Sequence, residues 1–220
     1  MFIFLLCYAH AQRLDMFCSG SDTANNAKTK KHIPYTDVVS YFGYIDSSWV
    51  AADTIAGIKM YYLYFFLPRN ANKVGLRMIS PVPDYVFPNK GDVVAEEYFN
   101  FIKTNKDYFD PWIMLEHQVE MKYQDNSDTT KRIKEWIALG ENNDAEELIA
   151  QPSGKKTNAL LRVVSDTTQL YKTLDAGVCR VGFSSLKDTL ISGSFILQIG
   201  ASVILPKMKI TMTEAELPEQ

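Results

Sequence analysis

The chain has 220 residues, 46% of them hydrophobic and 22% charged, with a formal net charge of −3 and a pI near 5.7. That length holds one large all-β domain or two small ones, and the mild acidity excludes a nucleic-acid role. Twelve Tyr and twelve Phe suit strands better than helices.

The first residues bear on location. Residues 2–6 form a short apolar run, and Ala9-His10-Ala11 has the small-x-small form of a signal-peptidase site. The run has no basic residues before it, so the expectation is an export signal truncated at its start. Residues 12–31 are rich in Ser, Asn, Thr and Lys and read as a mobile polar arm. Its basic run at 28–31 is too short for a basic patch and reads as solvated. Residues 1–32 are therefore set apart from a β-sandwich domain over 33–210 and a short tail over 211–220. No segment approaches the length of a membrane-spanning helix.

Within the domain, strand-like runs recur between Gly, Pro, Asn and Asp. They are expected at 38–45, 58–67, 76–80 and 160–164. Met60 through Leu67 is apolar on both faces, as in a central strand covered on each side. Asp92 is expected to cap a helix carrying a stripe of Val94, Tyr98, Phe101 and Ile102. Over 112–121, Ile113, Leu115, His117, Val119 and Met121 alternate with Glu116, Gln118 and Glu120. His117 on that apolar face reads as a hydrogen-bonded core residue rather than a catalyst.

A second helix is expected at 128–139, with Ile133, Trp136 and Ile137 on one side and Gly140 as its stop. The acidic stretch from Glu141 to Glu147 should then begin in a loop. Its side-chain oxygens suit a hard cation such as Ca²⁺ or simply face solvent, and composition leaves both readings open. Near the end, Gly177 to Ser185 points Cys179, Val181 and Phe183 inward, with Arg180 and Ser184 outward. Cys179 is expected to be a buried free thiol. In the clearest strand, 194–205, Phe195, Leu197, Ile199, Ala201, Val203 and Leu205 share one face. Gln198, Gly200 and Ser202 are expected to face water or a loop. Frequent turns without βαβ alternation predict a mainly β sandwich with a few helical insertions.

Catalytic motifs are missing. There is no G-x-S-x-G elbow, phosphate-binding glycine loop or H-E-x-x-H. Ser184-Ser185-Leu186-Lys187 fits S-x-x-K, but it closes a strand where that motif needs a helix start. Its companion S-D-N and K-T-G motifs are absent. Cys7, Cys18 and Cys179 are too scattered for a disulfide framework or zinc site, as are His10, His32 and His117 for a histidine-based one.

Several blocks resemble, in order, the family of the major surface lipoprotein of pathogenic leptospires. They are Ile33-Pro34-Tyr35, Tyr41-Phe42-Gly43-Tyr44, Tyr61-Tyr62-Leu63-Tyr64 with Pro68, and Gly75-Leu76-Arg77-Met78-Ile79-Ser80-Pro81. Phe109-Asp110-Pro111-Trp112-Ile113, Asn158 through Arg162, and Gly193-Ser194-Phe195 follow. The resemblance implies a jelly-roll-like β-sandwich, an outer-membrane or cell-surface lipoprotein and a bound calcium ion. It also implies partners among extracellular-matrix components such as laminin, collagen and fibronectin.

The implied calcium positions are Asp110, Pro111, Asn143, Asp144 and Thr157. Pro111 replaces a family hydroxyl and offers only its carbonyl, and the family's aspartate run is diluted, which predicts weak binding. Neither Cys7 nor Cys18 sits in a good lipobox, so lipidation is not carried over with the resemblance. Relatives carry a helical C-terminal extension implicated in matrix binding, and most of it is expected to be missing here. The leading expectation is a non-enzymatic surface binding module for matrix proteins or glycans. The alternatives are a structural envelope protein, oligomeric through its sheet edges, and a polysaccharide-active enzyme.

Overall fold

The computed structural model describes residues 23–24, 31–32, 35–124, 130–146, 148–169, 171–187, 190–206 and 208–217. The expected signal segment, Cys7, Cys18 and most of the polar arm lie outside them. Within the arm, β1 (Thr23–Ala24) and β2 (Lys31–His32) form a small antiparallel pair.

Two larger sheets face each other. The first joins β10 (Ala159–Val164), β6 (Lys73–Ile79), β12 (Gly193–Ala201), β3 (Asp37–Ile45) and β7 (Val93–Val94), in that order. The second joins β13 (Ile210–Thr211), β5 (Ile58–Leu67), β11 (Gly177–Ser184), β8 (Trp112–Gln124) and β9 (Thr130–Asn142), with β4 (Asp53–Ile55) also paired to β5. Every pairing is antiparallel except that of β3 with β7. The mainly β sandwich expected from alternation is the fold observed.

The inward residues of the strands make the core. Leu63, Phe65, Ile113, Leu115, Val181 and Phe183 of the second sheet meet Tyr41, Leu76, Phe195, Leu197 and Ile199 of the first. At its centre, Phe183 lies 5.2 Å from Phe195 and 6.5 Å from Phe109, with Trp49 edge-on to both Phe183 and Phe195. Such offset and edge-to-face pairs add to the apolar burial. Cys179 is buried here as a free thiol, as expected.

Three expectations need correction. The second helix does not form over its described residues: 130–139 lie in β9, whose ladder runs from Thr130 opposite Gln124 to Asn142 opposite Ile113, and 128–129 lie outside the described residues. Lys, Glu, Ala and Leu favour a helix locally, but backbone pairing along β8 overrides that weak preference. Trp136 and Ile137 therefore point to opposite faces, and Gly140 lies within β9 opposite Leu115. A Cβ on Gly140 would stand 3.3 Å from Leu161, so the glycine lets β9 pass close to β10.

The first helix, α1 (Glu96–Phe101), has six residues, and Asp92 does not cap it. Instead Asp92 accepts a 2.7 Å hydrogen bond from the Asn89 N–H, and Val93–Val94 is β7. Tyr98 of α1 packs edge-on against Phe42 at 5.4 Å, with Ile102 joining the same apolar cluster.

The expected strand 194–205 ends at Ala201, and its polar face is not open to water: all nine residues of β12 are buried. Gln198 donates to Ser40 Oγ at 3.1 Å and accepts from Arg77. Tyr35 covers the neighbouring Gly75–Gly200 cross-strand pair. A Cβ on Gly75 would stand 2.1 Å from Tyr35 Oη, and one on Gly200 would stand 3.0 Å from Tyr35 Cγ. Two adjacent glycines thus make the slot that the ring fills.

Candidate cation site at the end of the β8–β9 ladder

The long β8–β9 ladder positions the predicted residues. Its last pair is Ile113 with Asn142, so Asp110 and Pro111, just before β8, and Asn143 and Asp144, just after β9, lie at the same end. Glu141 and Asn142 still belong to β9, so the acidic loop begins two residues later than its charge pattern alone implies. Asn142 shapes the turn: its Nδ2 donates to the Leu160 carbonyl at 2.7 Å, and its Oδ1 accepts from the Asp144 N–H at 3.2 Å.

Thr157 reaches this end through Gln151, which sequence reading did not single out. The buried Gln151 amide donates to the carbonyls of Ser80 and Phe109, and its Oε1 accepts from the Thr157 hydroxyl. One side chain thereby links the segment before β8 to the segment before β10. Asn158, Ser80 and Ser194 complete a buried polar web. Asn158 Oδ1 accepts from the Ser80 N–H at 3.0 Å, Asn158 Nδ2 donates to Ile149 O at 2.8 Å, and Ser80 Oγ donates to Ser194 O at 2.9 Å. The Phe109 N–H in turn donates to Ser80 Oγ at 3.1 Å. Periodicity carries no trace of this web. The only sequence signal was that Ser80-Pro81, Phe109, Asn158 and Ser194 each fall in a block of the resemblance.

Asp110 is the least satisfied member of the set. Its Oδ1 is buried and has no hydrogen-bond partner among the described residues, whereas its Oδ2 accepts from the Lys187 ammonium. An orphaned buried carboxylate oxygen is costly, and a hard cation is one group that would satisfy it. Two carboxylates, an amide oxygen, a hydroxyl and the Pro111 carbonyl are all oxygen donors of the kind calcium takes. The set is lean in charge: Asn143 and Asp144 are exposed, and among the described residues no three His, Cys, Asp or Glu side chains converge.

Among the described residues, the groups with catalytic potential do not assemble. His117 and Cys179 are cross-strand partners, but burial pushes the thiol up to about 12. Burial also lowers the His117 pKa, with Asp175 pulling the other way. A thiol so reluctant to ionise is a poor nucleophile. His117 is a core residue as expected, but its Nε2 is buried beside Gly177 without a hydrogen-bond partner among the described residues. The S-x-x-K serine is also committed, since Ser184 Oγ donates to Lys59 O at 2.6 Å.

A polar cluster on the second sheet is structural in character. The Arg180 guanidinium lies 3.9 Å from the Tyr62 ring centroid and 4.3 Å from that of Trp136, and its Nε donates to Glu116 at 2.6 Å. Burial works against the Arg180 charge, but the Glu116 hydrogen bond and charge, together with Tyr62 and Tyr64, outweigh it, so its pKa is raised.

A family model described as a surface lipoprotein of the order Spirochaetales matches residues 29–210, which include both large sheets up to the first residue of β13. No curated protein matches the chain.

Proposed function

This chain belongs to the family of surface lipoproteins of the order Spirochaetales, and from that premise we propose that it is a non-catalytic binding module of the outer cell surface. A calcium ion at the Asp110–Asp144 end of the sandwich is part of the proposal. The observation that carries the calcium reading is the buried Oδ1 of Asp110, unpartnered among the described residues, at the ladder end to which the segments before β8, after β9 and before β10 run. Asp110 and Asp144 would hold the ion, with Asn143, Thr157 and the Pro111 carbonyl as neutral donors. When bound, calcium would supply a double positive charge that cross-links those segments. Extracellular-matrix proteins or surface glycans are the proposed partners, met by the outer surface of the sandwich.

The protonated Cys179 and committed Ser184 support a role without turnover. Self-association through the edge of the second sheet is less well supported. Edge strand β9 carries Lys131, Arg132 and Lys134, and the β8–β9 ladder has a bulge between Leu115 and Glu116. Basic side chains and bulges are the features that discourage edge-to-edge pairing.

Thermal melts with calcium and with chelator test the staple. Millimolar calcium should raise the Tm of the wild type by mass action, and less so that of Asp144→Asn. An unchanged wild-type Tm would remove calcium from the proposal. Saturable binding to immobilised laminin, collagen, fibronectin or glycan is expected of the module. Self-association without such binding would favour a structural envelope role.

A further inference from the structure

We infer that Lys187 is a built-in counter-ion that competes with a divalent cation for Asp110. The end of the β8–β9 ladder is then held either by the lysine or by the ion, and the second state rests on the calcium reading above.

The two partners are unequally fixed. Asp110 follows the fully buried Phe109, whose N–H is held by Ser80 and whose carbonyl is held by Gln151. The Asp110 side chain is 16% exposed, whereas that of Lys187 is 63% exposed. The lysine is therefore the more exposed partner, carried on the longer and more flexible stem. Its approach is set by a tight turn in which the Lys187 N–H donates to the Oγ of the buried Ser185 at 3.3 Å.

The pairing is incomplete. The ammonium neutralises one charge and bonds Oδ2, while Oδ1 stays buried without a hydrogen-bond partner among the described residues. A divalent cation can take both oxygens of a carboxylate and carries the larger charge. An ion that takes both oxygens must displace Lys187, and its apparent affinity falls by the fraction of molecules in which Asp110 is already engaged. This also accounts for the orphan S-x-x-K sequence: its lysine serves Asp110, and its serine serves Lys59 O.

The test is calorimetric titration of the full chain with calcium chloride. Wild type, Lys187→Met and the charge-retaining Lys187→Arg are compared, alongside melts in chelator. Lys187→Met should bind calcium about 3- to 10-fold more tightly than wild type, the scale of a partly exposed ion pair near a charged site. Lys187→Arg should bind within about 2-fold of wild type, because it keeps the competing charge. In chelator, Lys187→Met should melt below wild type, and calcium should restore it.

Calcium binding to the wild type that tightens in Lys187→Met and not in Lys187→Arg would support the competition. Equal affinities in wild type and Lys187→Met would overturn the competition and leave the calcium reading standing. Calcium binding in neither protein would overturn both.

Discussion

The two sheets bury their outer faces by different means. The first sheet is roofed by chain segments distant in sequence: Tyr35 lies on Gly75 and Gly200, and α1 brings Tyr98 against Phe42. The second sheet covers part of its face with its own side chains. There Arg180 is stacked between Tyr62 and Trp136 and paired with Glu116, beside a cluster of Met60, Tyr62, Trp112 and Met114. One face depends on the absence of side chains at two glycines, the other on a charge held among aromatic rings. The first should therefore be sensitive to added volume and the second to a broken pair.

The largest effect should come from Arg180→Met. The Arg180 and Glu116 side chains are 12% and 9% exposed, and removing one partner leaves a carboxylate poorly solvated. A loss of about 3–5 kcal/mol is expected in chemical denaturation. Arg180→Met with Glu116→Leu should recover most of it, because an apolar pair of similar volume removes the stranded charge. An additive double variant would show that the stacking, not the pair, carries the stability of this face.

On the first sheet, Gly75→Ala should cost about 1–3 kcal/mol, since its methyl must displace the Tyr35 ring. Tyr35→Ala in the same background should restore part of the loss. If Gly75→Ala proves neutral in denaturant, Tyr35 is not anchored in the glycine slot.

A smaller effect separates the inner faces. His117, on the second sheet, has its pKa lowered below the ordinary 6.5 by burial. The unfolded chain then takes up a proton before the folded one does. The stability conferred by keeping His117 neutral is complete above about pH 6.5 and is lost as pH falls towards and through the lowered value. Denaturation at pH 7 and pH 5 should show a steeper decline for wild type than for His117→Leu. Equal declines would mean that other groups set the acid sensitivity.

The elements differ in how far they were legible in the sequence, for identifiable reasons. β5 was read at its observed limits, because its aromatic and aliphatic run is bounded by a turn before it and Pro68 after it. β9 was misread, because Lys, Glu, Ala and Leu are good helix formers and the pairing with β8 that overrules them is a tertiary property. On β12 the alternation of Gln198 and Gly200 with apolar neighbours was visible, but its usual meaning, a solvated face, was reversed by the Tyr35 roof and the Arg77–Gln198–Ser40 contacts. At the candidate cation site, the resemblance pointed to Asp110, Asp144 and Thr157. Gln151 and Asn158 were not assigned any part in the site because a buried amide leaves no periodic signature.

By itself, the sequence determined the mainly β class, the apolar strand faces and the buried free thiol of Cys179. Each depends on side-chain chemistry repeated at short range. The family was also legible there, through ordered blocks that no single motif could supply, and the family match later bore it out. Only the tertiary structure decided that β9 is a strand, that both faces of β12 are dry and that Lys187 meets Asp110 across 77 positions. The physical reason is shared: each outcome turns on pairing or burial between segments far apart in the chain, where local propensities of a fraction of a kcal/mol are outweighed.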